Sequence, residues 1–140
     1  MMKKILLLLT ILMLNLSVYA NDKKTYERLI HAISYVESKH NPKLVSSNGK
    51  YVGYLQIAKC CVDACNNILG KKKYTYNDRY DKEKSIEMFH IIQNKYNPQQ
   101  DIIIACRIWS EGISALRKPY GHTRYSRKVM KIYNNSNLAE

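Results

Sequence analysis

Glycine and proline are scarce, 5 and 3 of 140 residues, which excludes a collagen-like chain and the Pro- and Gly-rich composition of disordered segments. Acidic side chains are also few, 11 against 23 Lys and Arg, so the formal charge is +12. No internal repeat or low-complexity tract interrupts the chain. Beyond Leu16 no apolar run approaches the ~20 residues that a bilayer span needs; the longest, Ile102 to Cys106, is bounded by Asp101 and Arg107. With 46% hydrophobic residues, one domain with its own core is what remains.

The first twenty residues have the order of a secretory signal: Lys3 and Lys4, an apolar run from Ile5 to Leu16, then Val18-Tyr19-Ala20 with a small residue at the cleavage position. The expected organisation is a signal peptide over residues 1–20 and a domain over 21–140, exported to the periplasm or the medium and not inserted in the membrane after cleavage. Left uncleaved, the same run would tether the protein. Removing Lys3 and Lys4 leaves 21 basic against 11 acidic residues, a charge of +10. Export sets aside a nucleic-acid partner and leaves the anionic cell wall and lipid surfaces as attractors. The same charge serves equally as a solvated, solubilising surface. Nothing in the pattern specifies an oligomeric state.

Asn21 or Asp22 is placed to cap a helix in which Tyr26, Leu29, Ile30 and Ile33 form one apolar face. Glu37, four residues after Ile33, falls on that face in the last turn, because Asn41 precedes Pro42 and is pushed out of helical geometry. Leu44 to Gln56 is expected to be a small β-hairpin around Asn48-Gly49. Ala58 to Leu69 then forms a helix closed by Gly70, and Lys71 to Arg79 a basic, Tyr-rich loop. Asp81 caps a helix that ends at Asn97-Pro98, and Pro98 opens another from Gln99 to Trp109. The apolar residues of that helix are contiguous, so it is expected to be central and buried. After a loop from Leu116 to His122, Thr123 caps a last helix carrying Tyr125, Val129, Ile132 and Tyr133. The fold class is mainly α, with helices around one buried helix and a small β-hairpin lobe.

A carboxyl group on the apolar face of a helix end resists ionisation, which suits Glu37 to general acid chemistry. A lone Glu in such a place is more often a surface carboxylate. The segment Ile33-Ser34-Tyr35-Val36-Glu37-Ser38-Lys39-His40-Asn41-Pro42 resembles the first motif of the soluble lytic transglycosylases, where an acid followed by Ser ends a helix. Gly53-Tyr54-Leu55-Gln56-Ile57 looks like that family's Gly-Leu-Met-Gln segment, and Ala105 to Gly112 is similar to its aromatic-Asn-Ala-Gly motif. Tyr125, Ser126, Lys128 and Val129 fit its aromatic and basic closing helix. In the third motif Trp109 stands for the usual Tyr, and Ser110 and Glu111 for Asn and a small residue. The resemblance runs from about Thr25 to Tyr133.

It implies a lysozyme-like fold, peptidoglycan glycan strands as substrate, and cleavage between N-acetylmuramic acid and N-acetylglucosamine. Glu37 is then the catalytic residue, and Ser38, Gly53, Tyr54, Gln56 and Trp109 are candidate substrate contacts. Gln56 offers an amide, Gly53 a close backbone approach, and Trp109 and Tyr54 aromatic faces that serve equally as core. Ser38 orients Glu37 or caps the helix. No Asp or Glu occurs from Ser38 through Val62, so the hairpin supplies no partner for a two-carboxylate glycosidase. A single acid suffices if the substrate's N-acetyl group assists departure and the muramic 6-hydroxyl closes to a 1,6-anhydro product. Glu111 and Asp63 are the nearest motif-linked carboxylates that could return a hydrolytic muramidase, and the altered third motif leaves a non-catalytic wall-binding protein as the other alternative.

Cys60, Cys61, Cys65 and Cys106 are even in number, as disulfides in an exported chain require. Adjacent Cys60 and Cys61 are poor partners, which leaves Cys60–Cys65 with Cys61–Cys106, slightly preferred, or Cys60–Cys106 with Cys61–Cys65; reduced thiols are equally consistent. No zinc-ligand spacing accompanies them or His31, His40, His90 and His122. No metal and no cofactor is expected.

Overall fold

Tyr26, Leu29, Ile30 and Ile33 line the buried face of the first helix, with Leu29 and Ile33 fully enclosed. A computed structural model describes residues 2–136, with the side chains of 2, 3 and 17–23 outside the description. The expected processing site at Val18-Tyr19-Ala20 lies among these. The first helix, α1, is continuous from Met2 to Ser38, so Asn21 and Asp22 do not start it. From Ile5 to Leu16 its large apolar side chains are 48% to 68% exposed and take no part in the core cluster. No helix among the described residues is long and apolar enough to cross a membrane.

Four more helices follow: α2 (Lys59–Leu69), α3 (Lys82–Tyr96), α4 (Ile102–Glu111) and α5 (Arg124–Asn135). Their limits follow local chemistry. Gly70 closes α2 in the left-handed conformation, φ 65°. The Asp81 side chain accepts from the Lys84 amide at the start of α3. Thr123 and Ser126 exchange side-chain and backbone hydrogen bonds at the start of α5.

Helix α4 begins three residues later than Pro98 suggests. Asp101 caps it, accepting from the Ile103 and Ile104 amides at 2.8 Å each. Gln99 stays outside the helix and Gln100 is left-handed, φ 57°. The Asn97 side chain fixes this corner by donating to Tyr26 Oη at 3.0 Å and to the Asp101 carbonyl at 2.9 Å. Parts of two expected loops are also helical, as short 3₁₀ turns over Tyr76–Tyr80 and Ile113–Arg117.

The expected hairpin is reduced to two isolated antiparallel bridges, Val45 with Val52 and Val52 with Ile57. The Asn48-Gly49 turn does form, with Ser46 N–H donating to the Tyr51 carbonyl at 2.9 Å. Strand pairing stops because the chain turns again at once. Gln56 N–H donates to the Gly53 carbonyl at 3.2 Å, and Gln56 is itself left-handed, φ 51°. The buried Arg79 ties this segment down by donating to the Ile57 carbonyl at 3.2 Å and to the Lys50 carbonyl at 3.4 Å.

Helix α5 packs across α1, and α4 runs against both, while α2 lies against α3. Ala105, Cys106 and Ile108 of α4 meet Leu29 and Ile33 of α1, Phe89 of α3 and Val129 of α5 in one core, as the contiguous apolar run of α4 implies. Each such enclosed large apolar side chain contributes roughly 1.5–3 kcal/mol.

The sharpest steric constraint is at Gly53, φ 84°, where an added Cβ would lie 1.8 Å from the Arg79 carbonyl oxygen. Gly53→Ala is therefore expected to cost about 3 kcal/mol or more in urea unfolding, since both the backbone conformation and the collision oppose it. Gly49→Ala meets no neighbouring atom within 4 Å and should lose far less.

Candidate active-site cleft

The end of α1 opens onto a cleft of about 680 Å³ whose lining includes Glu37, Gln56, Trp109, Glu111 and Tyr125. Lys50 and Tyr51, from the Asn48-Gly49 turn, stand on one side, and Gly112 and Ile113 on another. The floor is largely apolar, with Ala64 of α2, Ile92 and Tyr96 of α3 and Ile108 of α4.

Glu37 is half-buried in the last turn of α1. Burial raises its pKa above the usual carboxylate value, and the hydrogen bond from Tyr125 offsets part of that rise. Tyr125 Oη donates to Glu37 Oε1 at 2.5 Å. Burial and the neighbouring carboxylate push the Tyr125 phenol well above its ordinary value, so it remains a donor. This contact joins residues 88 apart in sequence, and the candidate contacts drawn from the sequence omit it. The capping pattern at Thr123 places Tyr125 in the first turn of α5, but only the crossing of α5 over α1 aims its phenol at Glu37.

Gln56 and Trp109 reach the cleft along with Glu37. Both amide hydrogens of Gln56 are committed, to the Leu44 carbonyl at 3.1 Å and the Gly53 carbonyl at 3.0 Å, which leaves its Oε1 as an acceptor toward the cleft. Trp109 serves core and cleft together. Its Nε1 donates to the Leu55 carbonyl at 3.1 Å, and its ring packs on Phe89 with centroids 4.9 Å apart.

Ser38, Gly53 and Tyr54 are buried and do not line the cleft. Ser38 Oγ donates to the Tyr54 carbonyl at 2.8 Å, joining the end of α1 to the 53–57 segment. Gly53 makes its close approach to Arg79 rather than to a ligand. The Tyr54 ring packs beside His40, centroids 6.0 Å apart, on the other side of that segment. These three, expected as substrate contacts, support the cleft wall.

Of the two other carboxylates singled out, Glu111 lines the cleft and Asp63 does not. Glu111 is ion-paired with Lys118, and with Arg107 at 3.7 Å. The Lys118 hydrogen bond holds its pKa below the usual carboxylate value. Asp63 accepts from Tyr76 Oη at 3.1 Å on the exposed side of α2.

All four cysteines are unbonded. Five residues apart on α2, Cys60 and Cys65 project about 140° from one another, so Cys60 is exposed at the cleft and Cys65 is buried. That opposition rules out the preferred Cys60–Cys65 pairing within an intact helix.

The transglycosylase SLT domain family matches the chain over residues 15–137. The chain belongs to that family. No curated protein and no solved structure matches it. Membership gives this SLT domain a function of the peptidoglycan lytic transglycosylase type, directed at glycosidic bonds of the glycan strands. The mainly helical architecture around α4 agrees with a lysozyme-like SLT domain.

The raised pKa of Glu37 fixes the sign of a stability effect. Its protonated form is favoured in the folded state, so the benefit is present at acid pH and is lost as pH rises through the folded pKa. Glu37→Gln should therefore raise the thermal midpoint at neutral pH, with the gain shrinking toward acid pH, as calorimetry across pH would record. Tyr125→Phe removes a hydrogen bond that favours the carboxylate, so the Glu37 pKa should rise further when followed by carboxyl-selective NMR.

Proposed function

We propose that this SLT-domain protein is an exported lytic transglycosylase that cleaves the bond between N-acetylmuramic acid and N-acetylglucosamine with Glu37 as its single acid and base. The observation that carries the reading is the half-buried Glu37 carboxyl, raised in pKa and held by Tyr125 on a cleft whose other carboxylate, Glu111, is tied to Lys118.

In this mechanism protonated Glu37 gives its proton to the glycosidic oxygen as the bond to the anomeric carbon breaks. The substrate's N-acetyl group supports the electron-deficient carbon. The Glu37 carboxylate then removes the proton of the muramic 6-hydroxyl, whose oxygen closes on the anomeric carbon to give the 1,6-anhydro end. The intramolecular nucleophile has the advantage of proximity. Tyr125 holds the carboxyl in one rotamer through both halves. Oε1 of Gln56 can accept from a sugar hydroxyl or acetamido N–H, and Trp109 offers a ring face. The N-terminal apolar helix supports export, since its side chains from Ile5 to Leu16 are spare to the core.

Glu111 favours one second reading, because a carboxylate on the same cleft is what a hydrolytic muramidase would use on water. Product analysis separates the two. Digested peptidoglycan should yield muropeptides one water lighter than hydrolytic products and resistant to borohydride; predominantly reducible ends would assign hydrolysis. Glu37→Gln should lower turnover by at least about 100-fold, whereas Glu111→Gln should reduce it much less. N-terminal sequencing of exported protein should find a start near Asn21.

A further inference from the structure

Outside the cleft, the turn that ends α1 carries a cluster of cationic and titratable groups. The rings of His31 and His40 lie with centroids 4.4 Å apart, and His40 also packs on Tyr35 at 5.5 Å and Tyr54 at 6.0 Å. Lys39 Nζ sits 3.9 Å from the centre of the Tyr35 ring, and Lys82 Nζ, from α3, 5.3 Å from that of Tyr54. None of these side chains lines the cleft.

The hydrogen bonding of His40 is directional. Ser34 Oγ donates to the His31 carbonyl at 2.9 Å, so the Ser34 hydroxyl has no proton left for His40. With the hydroxyl proton so placed, Nδ1 of His40, 2.8 Å from Ser34 Oγ, is the protonated nitrogen that donates to it in this tautomer. In the neutral ring Nε2 is therefore a bare acceptor, and it becomes a donor only when the ring takes up a second proton.

The groups acting on the charge of His40 are the His31 ring from α1 and two cations, Lys39 from the turn and Lys82 from α3. Burial first, then these three, hold its pKa below the ordinary imidazole value. Neither Lys39 nor Lys82 is in an ion pair among the described residues. Like charges gathered without a carboxylate repel one another, and a bound anion removes that repulsion. A phosphate group accepts from several directions through tetrahedrally arranged oxygens, whereas a carboxylate presents a single plane. Donors gathered around His40 from the end of α1 and from α3 approach from more than one plane, which matches the phosphate better.

We propose that His31, Lys39, His40 and Lys82 form a proton-gated binding site for phosphodiester-bearing polyanions, separate from the cleft. Protonation turns His40 Nε2 into a donor and adds charge to the cluster, so binding takes up protons and strengthens as pH falls. The site would hold the enzyme to an anionic surface without occupying the cleft.

The full-length protein is tested by calorimetric titration with an oligomer of glycerol phosphate, whose diesters stay ionised through the range used. Affinity is expected to rise about tenfold or more between about pH 8 and about pH 5.5, with His40 Nε2 gaining a proton in NMR spectra of the bound form. The pair His31→Gln and His40→Asn should abolish the pH dependence, Asn being tolerant of the left-handed backbone at residue 40, φ 65°. Lys39→Gln with Lys82→Gln should weaken binding at both pH values, while Lys71→Gln with Lys72→Gln, an equal loss of charge, should not. Equal affinity at the two pH values would overturn the proposal, as would equal weakening by the two lysine pairs. Anionic phosphatidylglycerol vesicles form the second arm: preference for them assigns a lipid headgroup, and preference for the oligomer a soluble or wall-linked polymer.

Discussion

The hydrogen bond from Tyr125 to Glu37 gathers the architecture of the cleft into one contact. It exists only because α5 crosses α1 at the turn where α1 ends, and that crossing rests on the enclosed Leu29, Ile33 and Val129 and on α4 packed against both helices. The carboxyl is thereby held half-buried at the cleft, where burial raises its pKa and the Tyr125 hydrogen bond offsets part of that rise. A helix end free in solution would present an ordinary surface carboxylate. The cost of burying an ionisable group is borne by the surrounding apolar core, a common relation between stability and a functional site.

The opposite wall of the cleft is built with little regular structure. Between Pro42 and Ala58 the chain makes two successive turns, joined by isolated bridges. Its stiffness comes from side chains bonding to backbone carbonyls: Arg79 to Lys50 and Ile57, Ser38 to Tyr54, Gln56 to Leu44 and Gly53, and Trp109 to Leu55. Buried carbonyls left without partners would be costly, so each bond both satisfies the wall and fixes its position against α1 and α4. Residues expected to touch a sugar, Ser38, Gly53 and Tyr54, are instead part of this bracing.

The same turn separates two surfaces of different chemistry. Glu37 and Gln56 face the cleft, while His40 and Tyr54 face the cationic cluster with Lys82. Lys39 and His40 are both left-handed, φ 55° and 65°, and this reversal carries the chain from one surface to the other. Bond-forming chemistry and attraction to an anionic surface can then be altered independently.

Much of the helical order is written locally. Three- and four-residue apolar spacing, Gly70, Asp81 and Thr123 act through neighbours in sequence, so α1 from Tyr26 to Glu37, most of α2 and α3, and α5 are legible without a fold. Pro98 misleads because Asp101, three residues on, offers a stronger cap and Asn97 closes the corner with Tyr26 from α1. The hairpin fails because the second turn at Gly53 to Gln56 depends on Arg79, a contact between distant parts of the chain. The sequence by itself determined the family, the helical framework and the position of Glu37 on a buried face, since these follow from short-range periodicity and motif order. Only the tertiary structure decided that Tyr125 holds Glu37, that Glu111 shares the cleft while tied to Lys118, and that Ser38, Gly53 and Tyr54 are buried in the cleft wall, because burial and hydrogen-bond partners arise from packing between segments far apart in sequence.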